Sequence, residues 1–426
     1  MLLIYRFLTI LFFPIFIFLI YIRKFLGKED KIRFKEKIFS SSFRPNKRNN
    51  NNKLIWFHGA SIGEITSVIP LIESFKKNNR NISILITTVT LSSGKIVEKR
   101  FGNDKDIHHR YFPIDVPSLT EKFIDLWKPN LAIFIDSEIW PNFIFNIKKN
   151  NIPLALINGR ITKKTFDRWM LLGNFSRKVF ASFDLCLPSS KESETNLKNL
   201  NTKNVKFLGN LKFINSKNKI QKLNSSITQF LNIKKVWCAA STHNQEEIFC
   251  LKAHLEIKKT HNNILTILIP RHIKRVNNIL TQCNQLNLNS QILNPDEKIK
   301  ENSEVLIINS YGVLQQYYNY CKSVFIGKSL IKKLHLVGGQ NPLEAALEGC
   351  KIYHGPYVYN FEEIYNFLKI NGISQEINDV HTLSSNITKD LYEDKKIDNT
   401  SIEKINAYGD NILNKTVLEI NELITK

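Results

Sequence analysis

The sequence predicts an α/β protein made of two successive halves, each a parallel sheet covered by helices on both faces. Three observations carry this. Short apolar runs alternate with stretches of helical periodicity from Leu54 to about residue 215, and again from Val236 onward. A polar stretch with little pattern, 216–233, separates the two sets. The chain has 426 residues, 43% of them hydrophobic, enough for two ordinary domains with sizeable cores.

Residues 1–22 are apolar apart from Arg6, Thr9 and two tyrosines. The uncharged run 7–22 falls short of the roughly 20 residues a membrane span needs, and residues 2–5 supply the rest if Arg6 snorkels to the interface. Arg23, Lys24 and Lys28 follow, without a small-residue cleavage site. The expectation is an uncleaved membrane-anchor helix over 1–27, with the basic cluster and the body of the protein on the cytoplasmic side. A buried hydrophobic helix docked on the soluble part is the alternative. Residues 28–53 read as a basic juxtamembrane linker. Lys31, Arg33, Lys35 and Lys37 are set to meet anionic headgroups, Ile32, Phe34, Ile38 and Phe39 allow partial packing, and Arg44–Lys53 is a solvated link.

The first half, 54–215, opens with the strand Leu54–Phe57, a loop through His58-Gly59-Ala60-Ser61-Ile62-Gly63-Glu64, and a helix with apolar residues at 65, 68, 69, 72 and 75 and Pro70 inside it. Glu64, at the loop exit, fits two roles: an acid in the first helical turn, or a general base held in a dry cleft. Further strands are expected at Ser83–Thr88, Leu131–Ile135 and Leu154–Ile157, with helices near 66–78, 118–127, 140–150 and 189–200. Asp136-Ser137-Glu138 follows a central strand directly, so its carboxylates face the crevice where open α/β sheets bind ligands. A helix start, with Ser137 as cap and Pro141 in the first turn, fits the same residues. Lys212, in Gly209-Asn210-Leu211-Lys212-Phe213, is either a surface lysine or a fixed charge facing a phosphate or carboxylate.

The second half, 216–401, has strand-like runs at Val236–Ala240, Leu265–Ile269, Val305–Ile308 and Ser323–Ile326. Helical stretches are Gln245–Lys258, Lys274–Leu286, Val313–Tyr320 and Pro342–Glu348. Arg271, in Ile269-Pro270-Arg271-His272, is placed to grip a phosphate or to sit on the surface. In Gly338-Gly339-Gln340-Asn341-Pro342-Leu343-Glu344, Asn341 reads as an N-cap, Pro342 as the first helical residue and Glu344 as the capping-box acid, over backbone able to approach a phosphate or ribose. Gly355-Pro356-Tyr357 and Asn360–Glu363 read as a turn and a helix start. Two α/β halves of similar size argue for a ligand cleft at their interface. The tail, 402–426, reads as a helix.

The net charge is +22, from 60 Lys and Arg against 38 Asp and Glu, and points to an anionic partner or surface. The basic residues form no aromatic-interleaved patch, which argues against nucleic acid. Six scattered cysteines form no C-x-x-C and no Cys/His set with zinc spacing, so they read as reduced and buried.

With these residues assembled, the chain resembles the Kdo (3-deoxy-D-manno-octulosonic acid) transferases of lipopolysaccharide synthesis. The resemblance rests on motifs in order: Gly63-Glu64, Thr87-Thr88, Pro113–Pro117, Glu138–Asn142, Asn158-Gly159-Arg160, Gly209–Phe213, Ser241-Thr242-His243, Pro270-Arg271-His272, Asn341–Glu344 and Asn360–Glu363. It implies a GT-B fold, two Rossmann-like domains with an interdomain cleft. It implies inverting transfer of Kdo from CMP-Kdo to a lipid A precursor, lipid IVA, at the cytoplasmic side of the inner membrane, with no metal, cofactor or nucleic acid. By that resemblance Glu64 is the proton acceptor, and Asp136 and Lys212 stabilise the transition state. CMP contacts fall on Pro270 and Arg271, on Tyr311, Gly312 and Val313, and on Asn341, Pro342, Leu343 and Glu344. The chain departs from the family pattern at Asp136 and Val313, where Glu is usual, at Gln340, where His is usual, and at Lys328, where Gly is usual. Two rival readings are a GT-B enzyme for another nucleotide sugar and a non-catalytic membrane-bound relative.

Overall fold

The computed structural model describes residues 1–44, 49, 51–79, 81–214, 223–295, 297–393 and 399–425. They form two compact units, residues 1–216 with 409–426, and residues 217–408. The middle of the expected link 44–53 and the start of the polar stretch 216–233 lie outside the described residues.

The first unit begins with two helices, α1 (Leu2–Leu11) and α2 (Phe13–Phe25), bent by 49° at the break between them. Among the described residues no single helix is long and apolar enough to cross a membrane; only this bent pair passes that test, and only when taken together. The expected single anchor helix is therefore corrected to a broken one. Pro14 stands near the start of α2, where its missing N–H costs least.

The sheet of this unit has six parallel strands: β1 (Lys53–His58), β2 (Ile82–Thr88), β3 (Ile107–Tyr111), β4 (Leu131–Ile135), β5 (Leu154–Gly159) and β6 (Leu185–Pro188). Their order is β3-β2-β1-β4-β5-β6. This is the doubly wound arrangement, and its strand order reverses between β1 and β4. Every residue of β2 and β4 is buried, as near-continuous apolar runs require when helices cover both faces. Trp56 centres one face of the core, its ring 5.3 to 6.2 Å from those of Phe112, Phe123, Phe134 and Phe143. The helix α3 (Ile62–Asn78) follows β1 and carries Pro70 without ending there. β3 and β6 escape the sequence pattern. Ile-His-His-Arg-Tyr is mostly polar because it forms the sheet edge, and Leu-Cys-Leu-Pro is short.

The segment expected as a basic linker is instead packed into this unit from Glu29 to Phe43. Phe34, Ile38 and Phe43 are buried, and Phe34 and Ile38 share a cluster with Ile20. Two of the four lysines and arginines assigned to headgroups are already engaged. Lys37 is buried against Glu29, which also pairs with Arg23 at 2.6 Å. Arg33 pairs with Glu36 at 2.9 Å and donates to the carbonyl of His109 on β3. Arg33 and Lys37 thus hold the first of two short 3-10 turns (Arg33–Lys37 and Ser40–Ser42) to the sheet edge, while Lys31 and Lys35 stay exposed.

The second unit has seven parallel strands: β7 (Lys235–Thr242), β8 (Ile264–Pro270), β9 (Ser290–Leu293), β10 (Val305–Ile308), β11 (Ser323–Ile326), β12 (Lys351–His354) and β13 (Ser374–Glu376). Their order is β13-β12-β11-β7-β8-β10-β9, which reverses between β7 and β11. The last helix runs Asn399–Thr425; its residues from 409 belong to the first unit, where Lys206 meets Glu419 at 2.7 Å.

Replacing Phe34 by Ala leaves a cavity beneath the first 3-10 turn and is expected to destabilise the first unit by about 3–5 kcal/mol. Urea denaturation checks this; an unchanged midpoint would mean that residues 29–43 are a solvated linker after all.

Candidate active site

Open α/β sheets bind ligands beyond the carboxyl ends of their strands, where the strand order reverses. In the first unit that point lies after β1 and β4; Glu64 opens the helix that follows β1, and Asp136 lies in the loop that follows β4. Gly59 lets the β1 loop close down on β4: a Cβ there would stand 3.2 to 3.3 Å from side-chain atoms of Ile135, Ile65 and Glu64. Glu64 is in the first turn of α3. Its oxygens accept the Ala60 N–H at 2.7 Å and the Ser61 hydroxyl at 2.6 Å, while Ser61 Oγ takes the Glu64 N–H at 3.4 Å. The first-turn role is thus real, as a reciprocal cap. The same bonds aim the carboxylate and leave it half-exposed. Burial pushes its pKa above the ordinary range, opposed by the Ser61 bond and assisted by the charges of Glu138 and Asp136.

Asp136 holds φ at 59°, in the left-handed region that Asp tolerates better than most residues. Its backbone is clamped to the β5 side, with its N–H on Ile157 O and its carbonyl accepting from Arg160. Ser137 does not cap the following helix, which begins at Pro141 after Trp140. Its hydroxyl instead lies 2.8 Å from Asp136 Oδ1 and 3.0 Å from the Arg160 carbonyl. Burial raises the Asp136 pKa, and Lys212, Ser137 and Arg160 oppose that.

Lys212 sits in a one-turn 3-10 helix (Leu211–Phe213) held from two sides. Asn158 Oδ1 accepts the Leu211 N–H at 3.0 Å, and Asn210 Oδ1 accepts the Lys212 N–H at 3.0 Å. Burial pulls the Lys212 pKa down, Asp136 and Glu64 pull it up, and Arg160 adds to the downward push. Glu64, Asp136 and Lys212 therefore act on one another electrostatically, and Arg160 joins them.

Glu138 is fixed by a relay that the sequence did not reveal. Trp56 donates to Thr87 Oγ1 at 2.8 Å, Thr87 Oγ1 lies 3.0 Å from His58 Nδ1, and His58 Nε2 lies 3.0 Å from Glu138 Oε2. Trp140 donates to the same oxygen at 2.7 Å. An ionised Glu138 can only accept, so His58 Nε2 carries the proton toward it, while Nδ1 faces both the hydroxyl and, at 3.2 Å, the carbonyl of Thr87. Burial opposes the Glu138 charge, but the bonds from His58 and Trp140 hold its pKa below the usual range. The only sequence signal for this relay was a polar residue, His58, at the end of an apolar strand.

In the second unit the reversal point carries a buried carboxylate, Glu246, that sequence reasoning missed. Its two oxygens accept four backbone N–H groups: His243 at 2.9 Å, Lys328 at 2.7 Å, Ser329 at 2.8 Å and Leu330 at 3.0 Å. It ties the loop after β7 to the loop after β11. Lys328 holds φ at 60°, in the left-handed region that favours glycine. Pro270 is buried at the end of β8, and the exposed Arg271 is anchored by its N–H to Thr242 O. The rings of His243 and His272 lie 5.6 Å apart. Burial lowers the His243 pKa despite a bond to Ser241 O, and the charges of His272, Lys328 and Arg271 add to this. These loops form a cationic cluster.

The Asn341 turn differs from expectation in detail. Its helix is Leu343–Leu347, five residues long, with Pro342 preceding it. Pro342, not Asn341, holds the N-cap position; Asn341 stands one residue earlier and its Oδ1 accepts the Leu343 N–H at 3.2 Å. Glu344 does not close a capping box: its carboxyl is largely buried, accepts no hydrogen bond among the described residues, and is pushed up in pKa by burial alone. The turn and helix start expected over 355–363 are present, with a helix over Glu362–Ile370, and they close on this loop: Asn360 donates from its N–H to Gly338 O at 3.0 Å and from Nδ2 to Val337 O at 2.6 Å. Gly338 has no room for a Cβ, which would stand 2.2 Å from Tyr357 O. Tyr311 is exposed, Gly312 holds φ at 77°, and Val313 precedes the short helix Leu314–Tyr318. No hydrogen bond among the described residues ties 311–313 to Arg271 or Asn341. Nor do three or more His, Cys, Asp or Glu side chains converge as metal ligands.

Residues 33–215 match the family model described as 3-deoxy-D-manno-octulosonic-acid transferase (kdotransferase). The 3-deoxy-D-manno-octulosonic acid transferase of Rickettsia bellii is 32% identical over 353 residues, covering 83% of this chain and 82% of that one. The one from Rickettsia felis is 29% identical with both chains fully covered. Among solved structures, a glycosyltransferase from Rickettsia africae aligns over 88% of this chain and 99% of its own, with a TM-score of 0.58 at 13% identity. That last likeness bears on the fold alone.

Replacing Glu246 by Gln sets an amide N–H among four N–H donors. The expected loss is about 3 kcal/mol or more from the second unit. Denaturant unfolding of the variant measures it; wild-type stability would show that the loops hold without this carboxylate.

Proposed function

The chain belongs to the 3-deoxy-D-manno-octulosonic acid transferase family, and from that premise we propose that it moves Kdo from CMP-Kdo to lipid IVA, with inversion, using Glu64 as base. Kdo transfer is its activity; the acceptor, the residue roles and the membrane setting are our reading.

A sugar hydroxyl of the acceptor attacks the anomeric carbon of Kdo. The bond from that carbon to the phosphate oxygen breaks, CMP leaves as a phosphate monoester, and the hydroxyl proton passes to Glu64. The observation that carries this is the state of the Glu64 carboxylate. It is aimed by Ala60 and Ser61, half-exposed where the strand order reverses, and raised in pKa by burial against neighbouring carboxylates. A base of that kind takes a proton more readily than a fully solvated glutamate. Asp136 and Lys212 adjust the charge around it as bonds form and break.

CMP contacts are assigned to Pro270, Arg271, Tyr311, Gly312, Val313, Asn341, Pro342, Leu343 and Glu344. The cationic cluster that includes Arg271 suits the phosphate. Glu344 has free acceptor capacity and suits a ribose hydroxyl. The five-residue helix after Asn341 is too short to contribute much of a dipole, so the phosphate falls chiefly to the cationic side chains. Lipid IVA cannot leave the bilayer, so the reading puts the chain at the cytoplasmic side of the inner membrane. The +22 net charge and the exposed apolar residues of α1 and α2 support that.

Glu64→Gln keeps a side chain able to cap α3 but removes the base. Transfer from CMP-Kdo should fall by at least about 10²-fold while CMP affinity stays unchanged. Retained turnover removes the assignment, and preference for UDP over CMP in the same titration removes the donor. The raised Glu64 pKa also fixes the sign of the pH profile. Because the base must be ionised, kcat/KM should rise with pH through an apparent pKa above the usual ~4.3 of glutamate. A profile flat across that region would contradict the role.

A further inference from the structure

We propose that α1 and α2 lie in the plane of one leaflet of an anionic bilayer, with both ends on the side of the catalytic unit, and do not cross it. The inference deepens the membrane setting proposed above and rests on it.

The helices are too well attached to span. Tyr5 on α1 donates to Asp115 at 2.8 Å, and Asn142 Nδ2 donates to Thr9 at 3.3 Å. Asp115 is itself buried and accepts the N–H groups of Asn142 and Phe143, so this contact belongs to the interior. Leu2, Tyr5 and Phe13 pack against the main hydrophobic cluster of the first unit. On α2, Ile17 and Ile20 pack in the cluster of Phe34 and Ile38, and Arg23 pairs with Glu29. Ile114, next to Asp115, packs against both clusters. Both helices are thus pinned around the same two-residue stretch, and the 49° bend is what lets both reach it.

The geometry of a span forbids this. At 1.5 Å per residue the two helices are about 15 and 20 Å long, each short of the roughly 30 Å hydrocarbon core. A crossing segment would carry Tyr5 to the opposite side from Arg23, away from Asp115.

The docked residues run 2, 5, 9, 13, 17 and 20, one helical stripe that continues across the bend. The other face is apolar and open: Leu3 is 79% exposed, Phe7 63%, Phe18 64% and Phe25 92%. No charged side chain interrupts that face from Phe7 to Ile22. Arg23, Lys24, Lys28 and Lys31 follow at its end. An apolar face beside a run of cations matches a leaflet, with acyl chains under the helices and anionic headgroups at the basic end. A second copy of this chain would share the +22 charge and be repelled at that end.

The test uses the full-length chain with a protease-cleavable tag at each end, in sealed inverted vesicles from an expressing cell. Both tags should be removed without detergent, and the chain should float with the vesicles. A carboxyl-terminal tag that is cut while the amino-terminal tag stays protected until detergent is added overturns the in-plane arrangement and leaves the membrane setting standing. Failure to float overturns the membrane setting, and the arrangement with it. With purified protein, Phe18→Asp should lower flotation on phosphatidylethanolamine–phosphatidylglycerol vesicles by about tenfold or more, with no change in melting temperature. Wild-type flotation of that variant overturns the role of the exposed face.

Discussion

Buried carboxylates that accept backbone N–H groups are the interaction on which both units depend. A parallel sheet ends in loops whose N–H groups have no strand partner, and a buried N–H left unpaired is costly. In the second unit Glu246 takes four of them. In the first unit Asp115 takes the N–H groups of Asn142 and Phe143 and the hydroxyl of Tyr5. Each joins segments far apart in sequence, and each does so beside a candidate functional surface.

The same device operates where chemistry is assigned. Glu64 caps the helix that presents it, so the bonds that secure the fold also aim the carboxylate. Glu138 is held by His58 and Trp140 below the usual carboxylate range, while Glu64 and Asp136 are pushed above it. Acids close together are thereby separated in pKa by their surroundings, an arrangement that suits the proposed base role of Glu64. The capping reading and the base reading of Glu64 do not compete, because a cap leaves a carboxylate with unused acceptor capacity.

Asp115 links this framework to the amino terminus. The segment from Leu2 to Phe43 packs on the first unit along one face, and several of its charges are spent on internal pairs. A composition rich in Lys and Arg says how many charges there are. It does not say which of them face inward, because pairing depends on the partner's position in space.

The sequence alone determined what periodicity and ordered motifs can encode. Uninterrupted apolar strands such as Leu131–Ile135 and Val305–Ile308, helices with one clear apolar face, the two-unit α/β plan and the family all follow from patterns local to the chain. Short or polar strands at sheet edges, such as Ile107–Tyr111 and Ser374–Glu376, escaped because pairing on one side is enough to hold them and their composition carries no period. Only the tertiary structure decided the rest. The Trp56–Thr87–His58–Glu138 relay joins two strands and a loop, Glu246 reaches a loop some eighty residues away, and α1 and α2 meet at a 49° bend and pack on the first unit through Tyr5 and Thr9. Each is a contact between residues distant in sequence, set by where the sheet brings them, so no local pattern could announce it.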